Sequence, residues 1–128
     1  MSDPKKVNRF EAKASNQAQL GSAKTLRVKL NVLRRTMKDL TFARKEVKQE
    51  AERLEKIREK IPDRVSQQEN VLNEAKMMVP HSTNRIRTAL KDVSDYLNKE
   101  KECINDEELL TQAQSLFNEA EEVLAECL

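Results

Sequence analysis

Residues 26–61 read LRVKLNVLRRTMKDLTFARKEVKQEAERLEKIREKI, and the apolar side chains in this segment recur at alternating steps of three and four. This spacing is typical of a heptad seam along one side of an α-helix. The seam comprises Leu26, Leu30, Leu33, Met37, Leu40, Val47, Ala51, Leu54 and Ile61. Arg44 and Arg58 occupy the two places where a further apolar residue would be due. The pattern predicts a first helix from about Ser22 to about Lys60, with Ser22 or Thr25 as its N-cap.

A second seam of the same kind follows the turn predicted at Ile61-Pro62-Asp63. It comprises Val65, Gln68, Leu72, Ala75, Val79, Ser82, Ile86, Ala89, Val93 and Tyr96. The phase of this seam does not slip at Pro80, so we predict one long second helix from about Asp63 to Lys99. The helix should be kinked where Pro80 removes a backbone hydrogen bond. Two separate helices joined at Pro80 are the alternative.

A third seam begins after Asn105-Asp106-Glu107-Glu108, which reads as an N-cap followed by acidic residues in a first helical turn. Its members are Leu109, Ala113, Leu116, Ala120, Val123 and Cys127, flanked by Leu110, Phe117 and Leu124. A face this wide can contact two partner helices. We therefore predict an all-α fold, an antiparallel three-helix bundle with coiled-coil-like packing over residues 22–128. The shorter third helix should leave the turn between the first two helices projecting as a two-helix tip.

The composition agrees with long helices, because Ala, Glu, Lys, Leu and Arg make up about half of the 128 residues. Residues 1–21 show no sustained period and are predicted to form a flexible N-terminal arm. No apolar run is long enough to cross a bilayer, and we expect no secretory signal. Cys103 is expected in a linker and Cys127 in the core, and two cysteines form no disulfide framework, which favours a cytosolic compartment.

The charges divide unevenly along the chain. Residues 1–60 hold 17 Lys and Arg against 8 Asp and Glu, whereas residues 61–128 hold 7 against 14. A chain folded back on itself can pair a basic helix with an acidic one, and we expect the acidic third helix beside the basic first helix. A nucleic-acid-binding half is the alternative, although carboxylates are interleaved with the cations of the basic half.

The residue types that catalysis and metal binding need are scarce. His81 is the only His, and it has no second ligand in helical register that would complete a metal site or a catalytic triad. A single Gly cannot build a glycine-rich phosphate loop. We therefore predict no catalytic, cofactor-binding or metal site, and we interpret His81 as a solvated residue after the kink.

One set of side chains on the first helix is not explained by its seam. Val28, Val32 and Phe42 should point away from the bundle axis, interleaved with Arg35, Lys38 and Lys45. They could be flanking packing beside a solvated basic face, or a partner-binding surface with apolar anchors and a cationic rim. Met77 and Met78 carry a similar ambiguity, and adaptable filling of the core is the reading we favour for them.

The sequence also resembles a known family. The run KEVKQEAERLEKIREK at Lys45–Lys60, the element Met77-Met78-Val79-Pro80 within a long helix, and the apolar pattern that follows it are closely similar to tubulin-specific chaperone A, also called tubulin-folding cofactor A. That later pattern is Ile86, Ala89, Leu90, Val93 and Leu97. The resemblance covers roughly Leu26–Glu102 and extends loosely through the third helix, whereas the N-terminal arm is longer than the family leads us to expect.

The resemblance implies a cytoplasmic, cytoskeleton-associated three-helix bundle that binds β-tubulin monomers during tubulin folding and α/β-heterodimer assembly, with no cofactor. Other tubulin-folding cofactors would be indirect partners, and the chain would be a monomer or a weak homodimer that binds neither nucleic acid nor membrane. The expected partner-binding residues are Val28, Val32, Arg35, Lys38, Phe42 and Lys45. The alternative function is a structural coiled coil, or a basic-helix adaptor for self-association, nucleic acid or an anionic membrane.

Overall fold

The computed structural model describes the backbone of residues 4–126 and the side chains of residues 21–126. Three helices follow one another as α1 (Pro4–Lys60), α2 (Val65–Glu100) and α3 (Glu107–Glu126). Short 3-10 turns at Pro62–Arg64 and Lys101–Cys103 link them. Residues 4–126 contain no β-strand. The all-α prediction is therefore confirmed.

The start of α1 differs from the predicted one. The helix begins at Pro4 and not at Ser22. The Thr25 hydroxyl donates a hydrogen bond of 2.9 Å to the Gly21 carbonyl inside the helix, so the prediction that Ser22 or Thr25 is the N-cap is wrong. The backbone stays helical before the seam because residues 11–20 are rich in Ala and Gln, which have high intrinsic helix propensity. The side chains of residues 1–20 lie outside the described ones, and the flexible arm at residues 1–21 stays a prediction.

α1 ends at a proline turn, as predicted. Ile61 leaves the helical region with φ −139° and ψ 72°, and Pro62 opens the 3-10 turn. The amide of Ile61 still donates to the Ile57 carbonyl at 2.8 Å, and the Arg64 amide donates to the Ile61 carbonyl at 3.0 Å. These bonds pair backbone groups at the end of α1 within the turn itself. α2 can therefore start after only a few residues and run antiparallel to α1.

α2 is a single helix that contains Pro80. All residues from Lys76 to Asn84 are helical, so the prediction of one helix is confirmed and the two-helix alternative is wrong. Proline has no amide hydrogen and cannot bond to the carbonyl four residues earlier, which is that of Lys76. On the next turn the Thr83 hydroxyl donates to the Val79 carbonyl at 2.9 Å.

The three seams meet in one apolar core. Ile86 and Val93 of α2 and Ala113 of α3 are completely buried. The full core cluster consists of Ala23, Leu26, Leu30, Leu33, Leu40, Ile86, Ala89, Val93, Ile104, Leu109, Ala113, Leu116 and Ala120. Past Glu126, the last described residue of α3, the pairing of α1 with α2 continues, with Leu54, Leu72 and Ala75 buried. The described structure thus contains the predicted two-helix tip, formed by residues 45–60 and 65–78.

Ion pairs at its two ends orient α3 along α1. Arg27 lies 3.0 Å from the Asp106 carboxylate before α3, and Arg44 lies 3.9 Å from Glu126 at its end. α3 therefore runs parallel to α1, and the predicted pairing of the acidic helix with the basic one is confirmed. Exposed pairs of this kind each contribute at most about 1 kcal/mol, so the seams supply most of the stability and the charges help to set direction.

Removal of the α3 cap should destabilise the bundle measurably. The Asp106 carboxylate accepts a hydrogen bond of 3.0 Å from the Leu109 amide, and the same side chain pairs with Arg27. Asp106→Ala should lower the free energy of unfolding by about 1 to 2 kcal/mol, measured by urea denaturation. Asp106→Asn keeps a capping oxygen and should lose less. Equal losses in the two variants would contradict the assignment of Asp106 as the cap.

Candidate partner-binding surface

The described residues form neither a potential metal site nor a helix able to span a membrane. Between residues 21 and 126, no three His, Cys, Asp or Glu side chains come together as a potential metal site. In that same part of the chain no helix combines the length and apolar character needed to cross a bilayer. His81 is exposed on α2, and Cys103 is an exposed free thiol between α2 and α3. These two placements agree with the sequence-based interpretation, whereas Cys127 lies outside the described residues.

The predicted partner-binding residues all lie exposed on α1, and we call them the outer face: Val28, Val32, Arg35, Lys38, Phe42 and Lys45. Of the apolar members, Val28 is 56% exposed, Val32 49% and Phe42 62%. The seam residues turn inward, so these side chains point away from the core. Their exposure agrees with an outward-facing stripe on α1, and the choice between flanking packing and a partner-binding surface stays a prediction.

The cations of the outer face are not neutralised by the part of the chain that the structure describes. Within residues 21–126, Arg35, Lys38 and Lys45 form no ion pair and no side-chain hydrogen bond. By contrast, Lys29 lies 2.9 Å from the Asp92 carboxylate and 5.3 Å from the centre of the Tyr96 ring. Lys29 thus joins α1 to α2, whereas the positive charges of the outer face remain directed at solvent.

Lys38 marks the edge of the outer face that adjoins α3. It lines a shallow groove of about 240 Å³ together with Leu116, Glu119 and Val123 of α3. Lys45 occupies the same heptad position one repeat later. The structure therefore places the six predicted residues, all exposed, along α1, with Lys38 at the edge toward α3.

A second exposed surface was missed by the sequence reasoning. We call it the tip groove, an open groove between α1 and α2 lined mainly by Glu46, Glu50, Val71, Glu74, Met77 and Met78. Met77 is 61% exposed and Met78 42%, so their interpretation as core filling is wrong. Leu72, Ala75 and Val79 already fill the seam at this level, and the neighbouring methionines project outside it. The sequence did carry a signal for this groove, because its two methionines lie off the α2 seam and beside acidic residues.

The described chain combines long helices and short turns with interlocked heptad seams and an exposed apolar and cationic face. These features are typical of a helical protein that acts by binding a partner. The model of the family described as "Tubulin binding cofactor A" matches residues 21–117. This match spans most of the chain, from within α1, through all of α2, to the first part of α3. The chain belongs to the tubulin-binding cofactor A family, and the resemblance inferred from its sequence is confirmed.

Individual relatives agree with this family. Tubulin-folding cofactor A of Arabidopsis thaliana is 34% identical over 80 residues, covering 61% of this chain and 71% of the relative. Mouse tubulin-specific chaperone A is 31% identical over 85 residues, covering 65% of this chain and 79% of the relative. The crystal structure of tubulin-binding cofactor A from Leishmania major aligns with a TM-score of 0.75 at 48% identity, over 79% of this chain and 94% of that one. Human tubulin chaperone cofactor A aligns with a TM-score of 0.62 at 28% identity, over 78% of this chain and 98% of that one.

Proposed function

We propose that this chain is a tubulin chaperone that binds β-tubulin monomers through the outer face and holds them during folding and α/β-heterodimer assembly. It acts in the cytoplasm, in association with the microtubule cytoskeleton, as a monomer or a weak homodimer. It uses no bound small-molecule or metal cofactor. The other tubulin-folding cofactor proteins are indirect partners, linked to it only through the tubulin that they share. The observation that carries the proposal is membership of the tubulin-binding cofactor A family across residues 21–117.

The physical character of the outer face supports this proposal. Phe42 offers a large apolar anchor on a rigid helix, so little conformational freedom would be lost on binding. Arg35, Lys38 and Lys45 are unpaired among the described residues and complement an acidic protein surface, which steers association and fixes orientation. An apolar centre with a charged rim is the arrangement common in protein interfaces.

The alternative functions have less support. A self-assembling coiled coil would need seam residues that remain without partners inside the chain. The polar residues that interrupt the α1 seam instead have partners within the chain. Arg44 pairs with Glu126, and Arg58 pairs with Glu55 and Glu69. A nucleic-acid surface would favour uninterrupted cations with stacking aromatics. The exposed Asp39 instead lies on α1 among the cations of the outer face.

A pull-down from cytosol tests the proposed function. The tagged full chain should retain β-tubulin, with α-tubulin strongly depleted relative to the heterodimer of the input. The less stable Asp106→Ala variant, still folded at the assay temperature, is the control for capture by unfolded chain. If unfolded chain captured the tubulin, this variant would retain more tubulin than the parent. Equal amounts of α- and β-tubulin in the eluate, or none of either, would contradict capture of the β-tubulin monomer.

Reversing the charges of the outer face should slow binding. Lys38→Glu with Lys45→Glu replaces two exposed, unpaired cations, so we expect the association rate with β-tubulin to fall by about tenfold at low salt. The effect should shrink as ionic strength rises, because salt screens exposed charges. Stopped-flow mixing over a range of salt concentrations measures it. Lys56→Glu with Lys60→Glu, exposed at the tip, is the matched control, and an equal slowing there would refute a local steering role.

A further inference from the structure

The tip groove has the opposite charge to the outer face. Three carboxylates line its open volume of about 470 Å³, those of Glu46, Glu50 and Glu74, and no Lys or Arg is among its lining residues. Glu50 is held by Gln68 and Arg53. Glu46 and Glu74 have no ion pair or side-chain hydrogen bond within residues 21–126. Two of the three negative charges are therefore available to a ligand.

The tip groove also has apolar lining residues. Val71 is 39% exposed, in addition to the exposed Met77 and Met78. Methionine side chains are flexible and polarisable, and they fit apolar surfaces of different shapes. The groove thus combines adaptable apolar side chains with carboxylates.

The helices that form the tip groove pack against each other, and no residue of the described part of α3 lines it. Leu72 and Ala75 are buried against α1, and the Gln68 amide donates to the Glu50 carbonyl at 3.2 Å. The last described residue of α3, Glu126, lines a different pocket together with Pro80 and Thr83, neither of which lines the tip groove. The groove is therefore an open surface on a rigid helix pair.

We propose that the tip groove binds a basic amphipathic helical segment of a partner protein. Lys and Arg of that segment pair with Glu46 and Glu74, while its apolar side chains pack on Val71, Met77 and Met78. The lining residues of α2 run from Val71 to His81, about 15 Å along the helix axis, which is the length of roughly three helical turns of a ligand. The cationic outer face would repel such a segment, so the two surfaces select partners of opposite charge.

A designed peptide provides the test. The probe is a fluorescent helical peptide of about 15 residues made only of Leu and Lys, with Leu on one face, titrated with the full chain in an anisotropy assay. Glu46→Gln with Glu74→Gln should weaken binding about fivefold at low salt, as expected for loss of two exposed pairs. Met77→Ser with Met78→Ser should weaken it at least about tenfold at any salt concentration.

Matched controls separate the tip groove from general charge attraction. Glu121→Gln with Glu122→Gln removes two exposed charges from α3 and should leave the affinity within about twofold. A Leu/Lys peptide of the same composition without an amphipathic face should bind more weakly. Equal losses in the α3 control and in the groove variants would overturn the proposal.

A second copy of the chain is the competing occupant of the tip groove. Sedimentation of the parent chain over a range of concentrations tests this alternative. If the parent self-associates and Met77→Ser with Met78→Ser abolishes the self-association, the groove belongs to a dimer and the proposal is overturned. A sedimentation coefficient that does not change between the parent and this variant supports it. Neither assay contains tubulin, so a negative result would leave the proposed chaperone function untouched.

Discussion

Ile86→Asp is expected to be the most destabilising single substitution considered for this bundle. Ile86 is completely buried in the core cluster that all three helices share, at the level where α1, α2 and α3 overlap. The new carboxylate would lose its hydration without gaining a partner, and the apolar packing of the isoleucine would also be lost. We expect a cost of at least about 4 kcal/mol in the free energy of unfolding.

Thermal and urea unfolding, followed by circular dichroism, measure this effect. A loss of that size is a large part of the stability of a small domain, so the variant should melt far below the parent or show no cooperative transition. Thr88→Asp, an exposed position on the same helix, is the matched control and should change stability by less than about 1 kcal/mol. An unchanged melting temperature for Ile86→Asp would show that the seam of α2 is wrongly assigned.

Phe42→Ala is expected to have the largest effect on binding of β-tubulin. Phe42 is the most exposed of the large apolar side chains in the described chain, so truncation removes no core contact. If it enters an apolar site on the partner, its loss should cost about 2 kcal/mol, or roughly thirtyfold in affinity. Helicity should be kept, because alanine favours helix more than phenylalanine does. Titration calorimetry with β-tubulin and circular dichroism measure the two quantities.

Ile61→Ala is the matched control for Phe42→Ala. Ile61 is 45% exposed, but it lies at the end of the two-helix tip and not on the outer face. Its truncation should leave the affinity for β-tubulin within about twofold. Parent-like binding by Phe42→Ala, with a large loss in the groove variants Met77→Ser and Met78→Ser, would move the tubulin contact from the outer face to the tip groove.

Much of the fold could be predicted because burial in a coiled-coil-like bundle is periodic. Leu30, Ile86 and Ala113 were assigned to the seams from spacing alone, and all three are buried. A cap within Asn105-Asp106-Glu107-Glu108 was equally readable because its chemistry is local, and the structure assigns it to Asp106, which accepts from the amide of Leu109. A seam pattern reports which part of a helix is periodic and not where the helix begins, and α1 starts at Pro4, well before the predicted residue.

The surfaces were harder to predict because exposure beside a seam depends on the neighbouring helices. Met77 and Met78 lie beside the seam, and their exposure depends on the placement of the neighbouring helices, which the spacing along the chain does not give. The pairing of Tyr96 with the Ser22 carbonyl at 2.9 Å likewise depends on the register set by the turn at Pro62. The outer face was identifiable from sequence as apolar residues off the seam, whereas its role in binding stays a proposal.

The partner and the contact surface can be tested together by site-specific photo-cross-linking. A photoreactive phenylalanine analogue is placed at position 42 on the outer face or, as a control, at position 112, which is exposed on α3. Each full-length chain is irradiated in cytosol, and the cross-linked protein is identified by mass spectrometry. We predict that position 42 cross-links to β-tubulin and not to α-tubulin, while position 112 gives no tubulin adduct. A β-tubulin adduct from position 112 alone, or a protein other than tubulin at position 42, would contradict the binding of β-tubulin by the outer face.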